Sequence, residues 1–278
     1  MATNVADILN SHRTRRAFVC GVLNVTPDSF SDGGTFLPPE AAVRQARQLA
    51  DEGADLIDVG AESTRPGSDR VSAGEQIDRV REILPAVTAL GIPVSIDTTL
   101  AEVAAFALDA GTAIINDVSA GRDDADLLPL AAKRGAAVVL MHMLGAPKTM
   151  QADPQYEDVV AEVGEFLAER MAAAEAAGVA RERVILDPGI GFGKRLEHNL
   201  ALLAGVEQLA ALGRPVLVGP SRKRFIGELT GETDPQRRGA GTIAACLTAR
   251  RGGATIFRVH EVGAAVQALR VADAINRA

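Results

Sequence analysis

Short apolar, β-branched runs recur along the chain, at 17–23, 54–59, 93–96, 112–115, 136–141, 184–186, 215–218 and 254–259. Each is nearly continuous in apolar character, the pattern of a strand buried on both faces of a parallel sheet. The stretches between them are amphipathic and predict helices starting near Pro39, Ala73, Leu100, Ala125, Tyr156, Leu196, Arg238 and Glu261. Gly53, Gly91, Gly111, Gly135, Gly178 and Gly213 fall just past the helical patterns, where a left-handed residue closes a helix most easily as glycine. Eight strands alternate with eight helices, and no linker rich in Pro, Ser or charge interrupts them. This predicts an α/β fold, a (β/α)8 TIM barrel as a single domain over 1–278, with 1–16 as an N-terminal extension. An open doubly wound sheet uses the same local units, and periodicity alone leaves it as the alternative.

Two predicted connections are long, 25–37 and 143–155. Loops of that length in a compact domain are usually lids or binding loops. Phe30, near Gly33 and Gly34, suits a loop that closes over a planar ligand, and suits equally a Phe that pins the loop to the barrel.

Composition narrows the class. The chain has 278 residues, 47% hydrophobic, and a (β/α)8 barrel typically needs about 250. A net charge of −7 argues against a nucleic-acid binder, which would present a broad basic surface. Cys20 and Cys246 lie far apart in apolar runs, as reduced core residues of a cytoplasmic protein would. The N-terminal extension carries His12, Arg13, Arg15 and Arg16 but no apolar stretch of its own, so no secretory signal is expected. No run of about 18 apolar residues occurs, so no membrane span is expected either.

Polar residues end each strand pattern: Asn24; Glu62, Ser63, Thr64 and Arg65; Asp97; Asn116 and Asp117; His142; Asp187; Ser221, Arg222 and Lys223; Arg258 and His260. In a (β/α)8 barrel these ends share one face, so residues remote in sequence converge on one pocket. Loops open on polar residues in any case, which accounts for Glu62 and Asp117. It accounts poorly for Asp97 and Asp187, which directly follow Ile96 and Leu186. An ionised carboxylate there costs several kcal/mol unless it is paired. Asp97, Asn116 and Asp187 offer acceptors to a planar edge bearing adjacent N–H donors, such as a 2-amino-pyrimidinone. Each charge-assisted bond of that kind is worth roughly 1.5–3 kcal/mol. Lys223, Arg258 and His260 supply positive charge or donors at the seventh and eighth strands, the usual anion site of this fold. The ligand class so indicated is a polar heterocycle attached to a phosphate.

Other motifs carry less. The stretch 189–194, GIGFGK, lacks the spacing of a phosphate loop and no Ser or Thr follows its lysine. It reads as a tight strand-to-helix turn presenting Phe192 to the pocket. The four histidines show no metal-ligand spacing, and His12 and His198 read as solvated surface residues.

Eight stretches together resemble the dihydropteroate synthase family of pterin-binding barrels. NVTPDSFSDGG at 24–34 and DVGAESTRPG at 58–67 resemble its two signatures. SIDT at 95–98, IND at 115–117, LMHM at 140–143, LDPGIGFGK at 186–194, SRK at 221–223 and RVH at 258–260 follow in order over roughly 17–275. The resemblance implies a (β/α)8 barrel, usually homodimeric, that condenses 6-hydroxymethyl-7,8-dihydropterin diphosphate with 4-aminobenzoate. It places the pterin on Asp97, Asn116, Asp187 and Lys223, with Met141 and Phe192 lining the site and Arg258 stacked on the ring. It places the diphosphate on Asn24, Arg258 and His260, with Asn24 also a ligand of Mg2+. It assigns Phe30, Ser63, Thr64, Arg65, Pro66, Ser221 and Lys223 to the 4-aminobenzoate site, where sulfonamides would compete. Ala61, Leu144 and Pro220 depart from the family's usual residues, and none removes a group so assigned. A methyltetrahydrofolate-corrinoid methyltransferase and a pterin-binding paralogue without activity are the competing readings.

Overall fold

The computed structural model describes residues 3–14, 16–26, 38–63, 68–146 and 148–277. Its strands are β1 (Phe18–Asn24), β2 (Leu56–Gly60), β3 (Val94–Asp97), β4 (Ile114–Asp117), β5 (Ala137–Met141), β6 (Val184–Asp187), β7 (Leu217–Val218) and β8 (Ile256–Val259). All neighbours pair in parallel, in the order β6-β5-β4-β3-β2-β1-β8-β7. A parallel bridge between Leu186 and Val216 then joins β6 to β7, with Leu186 N–H donating to Pro215 O at 2.9 Å. The ring closes, and the structure is the (β/α)8 barrel rather than the open sheet.

The eight strands begin up to two residues later than the apolar runs, and four of them, β1, β3, β4 and β6, extend through the polar residues that end them. Asn24, Asp97, Asn116, Asp117 and Asp187 are therefore strand residues, held in the ladder by backbone hydrogen bonds that do not depend on the side chain. Helices Pro39–Asp51, Ala73–Val80 and Leu196–Ala204 start where the amphipathic pattern does. Val159–Ala176 starts later than the pattern near Tyr156, because Asp158 caps it by accepting from Val160 and Ala161 N–H. All six glycines expected past helix ends have positive φ; Gly135, at 61°, is the left-handed cap of Leu127–Arg134.

Strand residues alternate between two apolar clusters, which is why the runs read as continuous. Val19, Ile57, Ile96, Ile115, Leu140 and Phe257 face outward into the layer between barrel and helices. Phe18, Cys20, Leu56, Ile114, Val139 and Ile256 fill the lower interior. The N-terminal extension belongs to that second cluster: Ile8 and Leu9 of helix Val5–Leu9 pack on it and floor the barrel at its strand N-termini. Ser11, in helix Ser11–Thr14, shares a 2.7 Å hydrogen bond with Thr255. Cys20 and Cys246 are buried and free. No helix among the described residues is long and apolar enough to cross a membrane.

Candidate active site

The inward side chains change character along each strand. Above the apolar floor come Asp58 and Ser95, which are register partners, then Gly60, Asp97 and Asn116, paired in turn across β2, β3 and β4. Asn24 pairs with Gly60, and Met141 with Asp187. Arg258 follows inward-facing Ile256 by two residues, the period of a strand. The strand C-termini thus carry a polar layer on an apolar one, the usual position of catalytic groups in this fold.

Asp58, 1% exposed, gathers that layer. It accepts from Ser95 Oγ at 2.5 Å, Asn116 Nδ2 at 3.0 Å and Arg258 Nε at 2.7 Å. Arg258 reaches on through Nη2 to Asp97 Oδ2 at 3.0 Å, so one guanidinium bridges two buried carboxylates. Burial opposes the charge of Arg258, but Asp58 and Asp97 together hold its pKa above the ordinary arginine value. Asp97 is pushed up to about 7, first by burial and next by the charge of Asp58, with Arg258 acting in the opposite direction. Because Asn116 donates its amide nitrogen to Asp58, its amide oxygen is left as an acceptor.

Asp187 and Lys223 stand on the β6–β7 side. Burial raises the pKa of Asp187, while the Gly189 N–H bonded to it at 2.7 Å and the charge of Lys223 work against that rise. Burial lowers Lys223 to about 7, with Asp187 opposing. Its Nζ donates to Ile190 O and lies 4.3 Å from the Phe192 ring centroid. The expected tight turn is present: Gly189, Gly191 and Gly193 all have positive φ, and Phe192 N–H donates to Gly189 O at 3.0 Å. A Cβ at Gly191 would lie 2.9 Å from Lys223 Cδ, so the lysine passes directly over a glycine. Met141 packs with Val118, Met143 and Met150, and Phe192 lies against that group.

Beyond β7, Ser221 and His260 form a pair. Ser221 Oγ accepts from the His260 backbone N–H at 3.2 Å and lies 2.9 Å from His260 Nδ1. With the backbone N–H donating to Oγ, the hydroxyl hydrogen can face Nδ1, an arrangement that goes with a ring protonated at Nε2. The intervening Arg222 takes a left-handed φ of 61°, uncommon for a side-chain-bearing residue. Thr242 Oγ1 accepts from its N–H at 3.1 Å, Arg238 donates to its carbonyl at 3.1 Å, and Glu261 pairs with its guanidinium at 3.0 Å. Asn24 stands beside Asp97 over Gly60: a Cβ there would come 3.3 Å from Asn24 Oδ1 and 3.7 Å from Asp97 Cβ. Ser63 accepts a hydrogen bond from Ser68 at 2.9 Å. Phe30, Thr64, Arg65 and Pro66 lie outside the described residues.

Asp58 is a site residue that the strand-end pattern does not single out, since it sits inside an apolar run between Ile57 and Val59. Its sign in the sequence is a charge flanked on both sides by aliphatic residues, a stronger form of the sign that marks Asp97, which has Ile96 before it and Thr98 after it. Two strand-end carboxylates read as ordinary loop openings are as buried as Asp97. Asp117 ties the following loop through Ser119 and Gly121, and Glu62 accepts from Val71 N–H at 2.8 Å. Lys194, discounted as a phosphate-loop lysine, is buried and donates to His142 Nδ1 at 2.9 Å and Phe192 O at 3.0 Å. Burial, then Lys194 and Arg122, lower His142 to about 2, so it is a neutral acceptor. His198 is not a free surface residue: its ring meets Tyr156 edge-on with centroids 4.8 Å apart.

Among known proteins, the pterin binding enzyme family matches residues 20–260. The dihydropteroate synthase of Synechocystis sp. is 47% identical over 264 residues, 95% of this chain and 91% of that protein. The Xanthomonas albilineans dihydropteroate synthase solved with 4-aminobenzoic acid is 49% identical, with a TM-score of 0.89 over 95% of this chain and 94% of the other. The same enzyme in complex with 7,8-dihydropteroate is 46% identical, with a TM-score of 0.85 over 95% of each chain.

Proposed function

This chain belongs to the pterin binding enzyme family, and we infer that it works as a dihydropteroate synthase. It is a transferase of folate biosynthesis that joins 6-hydroxymethyl-7,8-dihydropterin diphosphate to 4-aminobenzoate, giving 7,8-dihydropteroate and diphosphate. The observation that carries this reading is the buried Asp58–Arg258–Asp97 chain, with Asn116 beside it, at the strand C-termini.

Asp97, the Asn116 amide oxygen and Asp187 receive the N–H donors of the pterin, and Lys223 donates to its acceptors. Met141 and Phe192 line the ring. Arg258, fixed at Nε and Nη2, turns its remaining N–H groups to ring and diphosphate. His260, with Ser221 Oγ at its Nδ1, donates from Nε2 to the diphosphate. Ser63 and Ser221, with Lys223, border the 4-aminobenzoate subsite; Phe30, Thr64, Arg65 and Pro66 complete it on the family pattern. A sulfonamide, which resembles 4-aminobenzoate, competes there.

Mg2+ suits this site as a substrate-borne ion. Among the described residues no cluster of three or more His, Cys, Asp or Glu forms a metal cage. One neutral oxygen, Asn24 Oδ1, stands where Gly60 leaves room, and Mg2+ commonly takes one or two protein oxygens with phosphate and water. When bound, it neutralises charge on the departing diphosphate.

The amine of 4-aminobenzoate is a weak nucleophile, which favours departure of diphosphate before attack. Arg258 and His260 stabilise the charge that leaves, and the Asp97 carboxylate stabilises the cation that remains on the pterin. These groups are fixed before reaction, so no reorganisation is needed as charge develops. The chain acts as one unit in the cytoplasm, consistent with two free buried cysteines, and as a homodimer, consistent with exposed Val271 and Ile275 on helix Val262–Ile275. The test is to supply both substrates with Mg2+ and assay dihydropteroate. Formation that needs both substrates supports the reading. Binding of pterin without product, from folded protein, overturns it in favour of the inactive paralogue, and methyl transfer from methyltetrahydrofolate to a corrinoid overturns it in favour of the methyltransferase.

A further inference from the structure

We propose that Asp58 is a positioning residue of this reaction, setting the orientation of Arg258 and Asn116 for the pterin diphosphate without touching it. The proposal rests on the function inferred above. Asp58 is the register partner of Ser95, one inward step below Asp97, and is 1% exposed. At that depth it is covered by the groups it binds.

Its two oxygens divide the work. Oδ1 accepts from Ser95, which fixes the carboxylate plane, while Oδ2 accepts from both Asn116 Nδ2 and Arg258 Nε. The first of these turns the Asn116 amide so that its oxygen, not its nitrogen, faces the ligand. The second holds the guanidinium by its inner nitrogen, leaving Nη2 for Asp97 and the rest for the substrate. Without a charge at Asp58, the carboxylate in contact with Arg258 is Asp97 alone. The guanidinium then shifts onto Asp97 and occupies the acceptor that the pterin requires. The four groups come from strands β2, β3, β4 and β8, so only a side chain at the barrel centre can couple them.

A charged group that merely anchors the fold would affect both substrates alike. Asp58→Asn separates the cases. The amide keeps the size of the carboxylate; its oxygen can still accept from Arg258 and Asn116 while its N–H groups face Ser95 Oγ. In steady-state turnover of the full chain, kcat/KM for the pterin diphosphate is expected to fall about 30-fold or more, with KM for 4-aminobenzoate within about threefold. Adding Asp58→Asn to Arg258→Ala is expected to cost no more than about a further threefold beyond Arg258→Ala alone, because without the guanidinium Asp58 has lost the group it chiefly orients. Ser95→Ala, which loosens only Oδ1, is expected to lower the same kcat/KM by about 3- to 10-fold without multiplying with Asp58→Asn.

Losses that multiply in full overturn the proposal, as do equal losses on both substrates or an unchanged kcat/KM. So does an Asp58→Asn chain that fails to fold while Ser95→Ala turns over normally. Wild-type turnover in the same assay keeps the two claims apart: a wild-type chain that makes no dihydropteroate sinks the inferred function and this proposal with it. Turnover in the wild type with any overturning result in the variants sinks the proposal alone.

Discussion

Arg258 Nη2 donates to Asp97 Oδ2 at 3.0 Å, joining the eighth strand to the third across the interior rather than along the wall, where β1 and β2 lie between them. The pair is unequal. Arg258 has Asp58 as a second carboxylate partner, whereas burial and the charge of Asp58 push the Asp97 carboxyl up to about 7. Asp97 is thus close to its own midpoint at neutral pH.

That balance gives Arg258→Ala two consequences. Turnover is expected to fall about 10²–10³-fold, the usual cost of losing one preorganised donor. Pterin binding that needs ionised Asp97 strengthens as pH rises through about 7. Arg258 is the group that lowers the Asp97 pKa, so removing it moves this limb to higher pH. Calorimetric pterin affinity across neutral pH checks the shift, and an unmoved limb would contradict it.

Lys223→Ala is expected to weaken pterin binding by about 10- to 100-fold, as loss of a charge-assisted hydrogen bond does. The lysine also closes one side of the site, with Nζ on the Ile190 carbonyl and the Phe192 ring beneath it. Unchanged affinity by calorimetry would remove it from the pterin site.

Gly191→Ala tests the same side through the backbone. The position has φ +82°, and the added Cβ would meet Lys223 Cδ at 2.9 Å. The strain is worth about 1–3 kcal/mol. A lowered Tm together with weaker pterin binding is expected, and a fall in Tm alone would show that Lys223 need not sit where it does.

Ser221→Ala removes the hydroxyl that meets both His260 Nδ1 and the His260 backbone N–H. With that hydrogen bond to the ring lost, kcat/KM for the pterin diphosphate is expected to drop up to about 10-fold, the size of one hydrogen bond worth about 0.5–1.5 kcal/mol. Nitrogen chemical shifts of His260 would report the tautomer directly.

Much of this architecture is legible in the sequence because burial on both faces makes barrel strands read as plain apolar runs. Most polar strand ends then stand out, and Asp97, Asn116 and Arg258 come together as expected. The same uniformity hides which face is which. Ile57 and Val59 point outward while Asp58 between them points in, and only the period of two inside the closed ring separates them. Burial at loop starts is equally invisible: Asp117 and Asp97 end adjacent strands with the same polarity, yet Asp117 spends its oxygens on its own loop. Lys194 could not be placed from a motif, because its partner His142 comes from a different strand end.

The most direct measurement is turnover and thermal stability of Asp97→Asn at about pH 8. Asp97 has a folded-state pKa of about 7 against 3.8 for the free group, so its contribution to stability is complete below about 3.8 and is lost as pH rises to about 7. At pH 8 an uncharged Asn escapes that loss. The expected result is a Tm equal to or above that of the wild type, with turnover reduced about 10²–10³-fold. A folded Asp97→Asn chain with near-normal turnover would contradict the placement of the reaction at the Asp58–Arg258–Asp97 site.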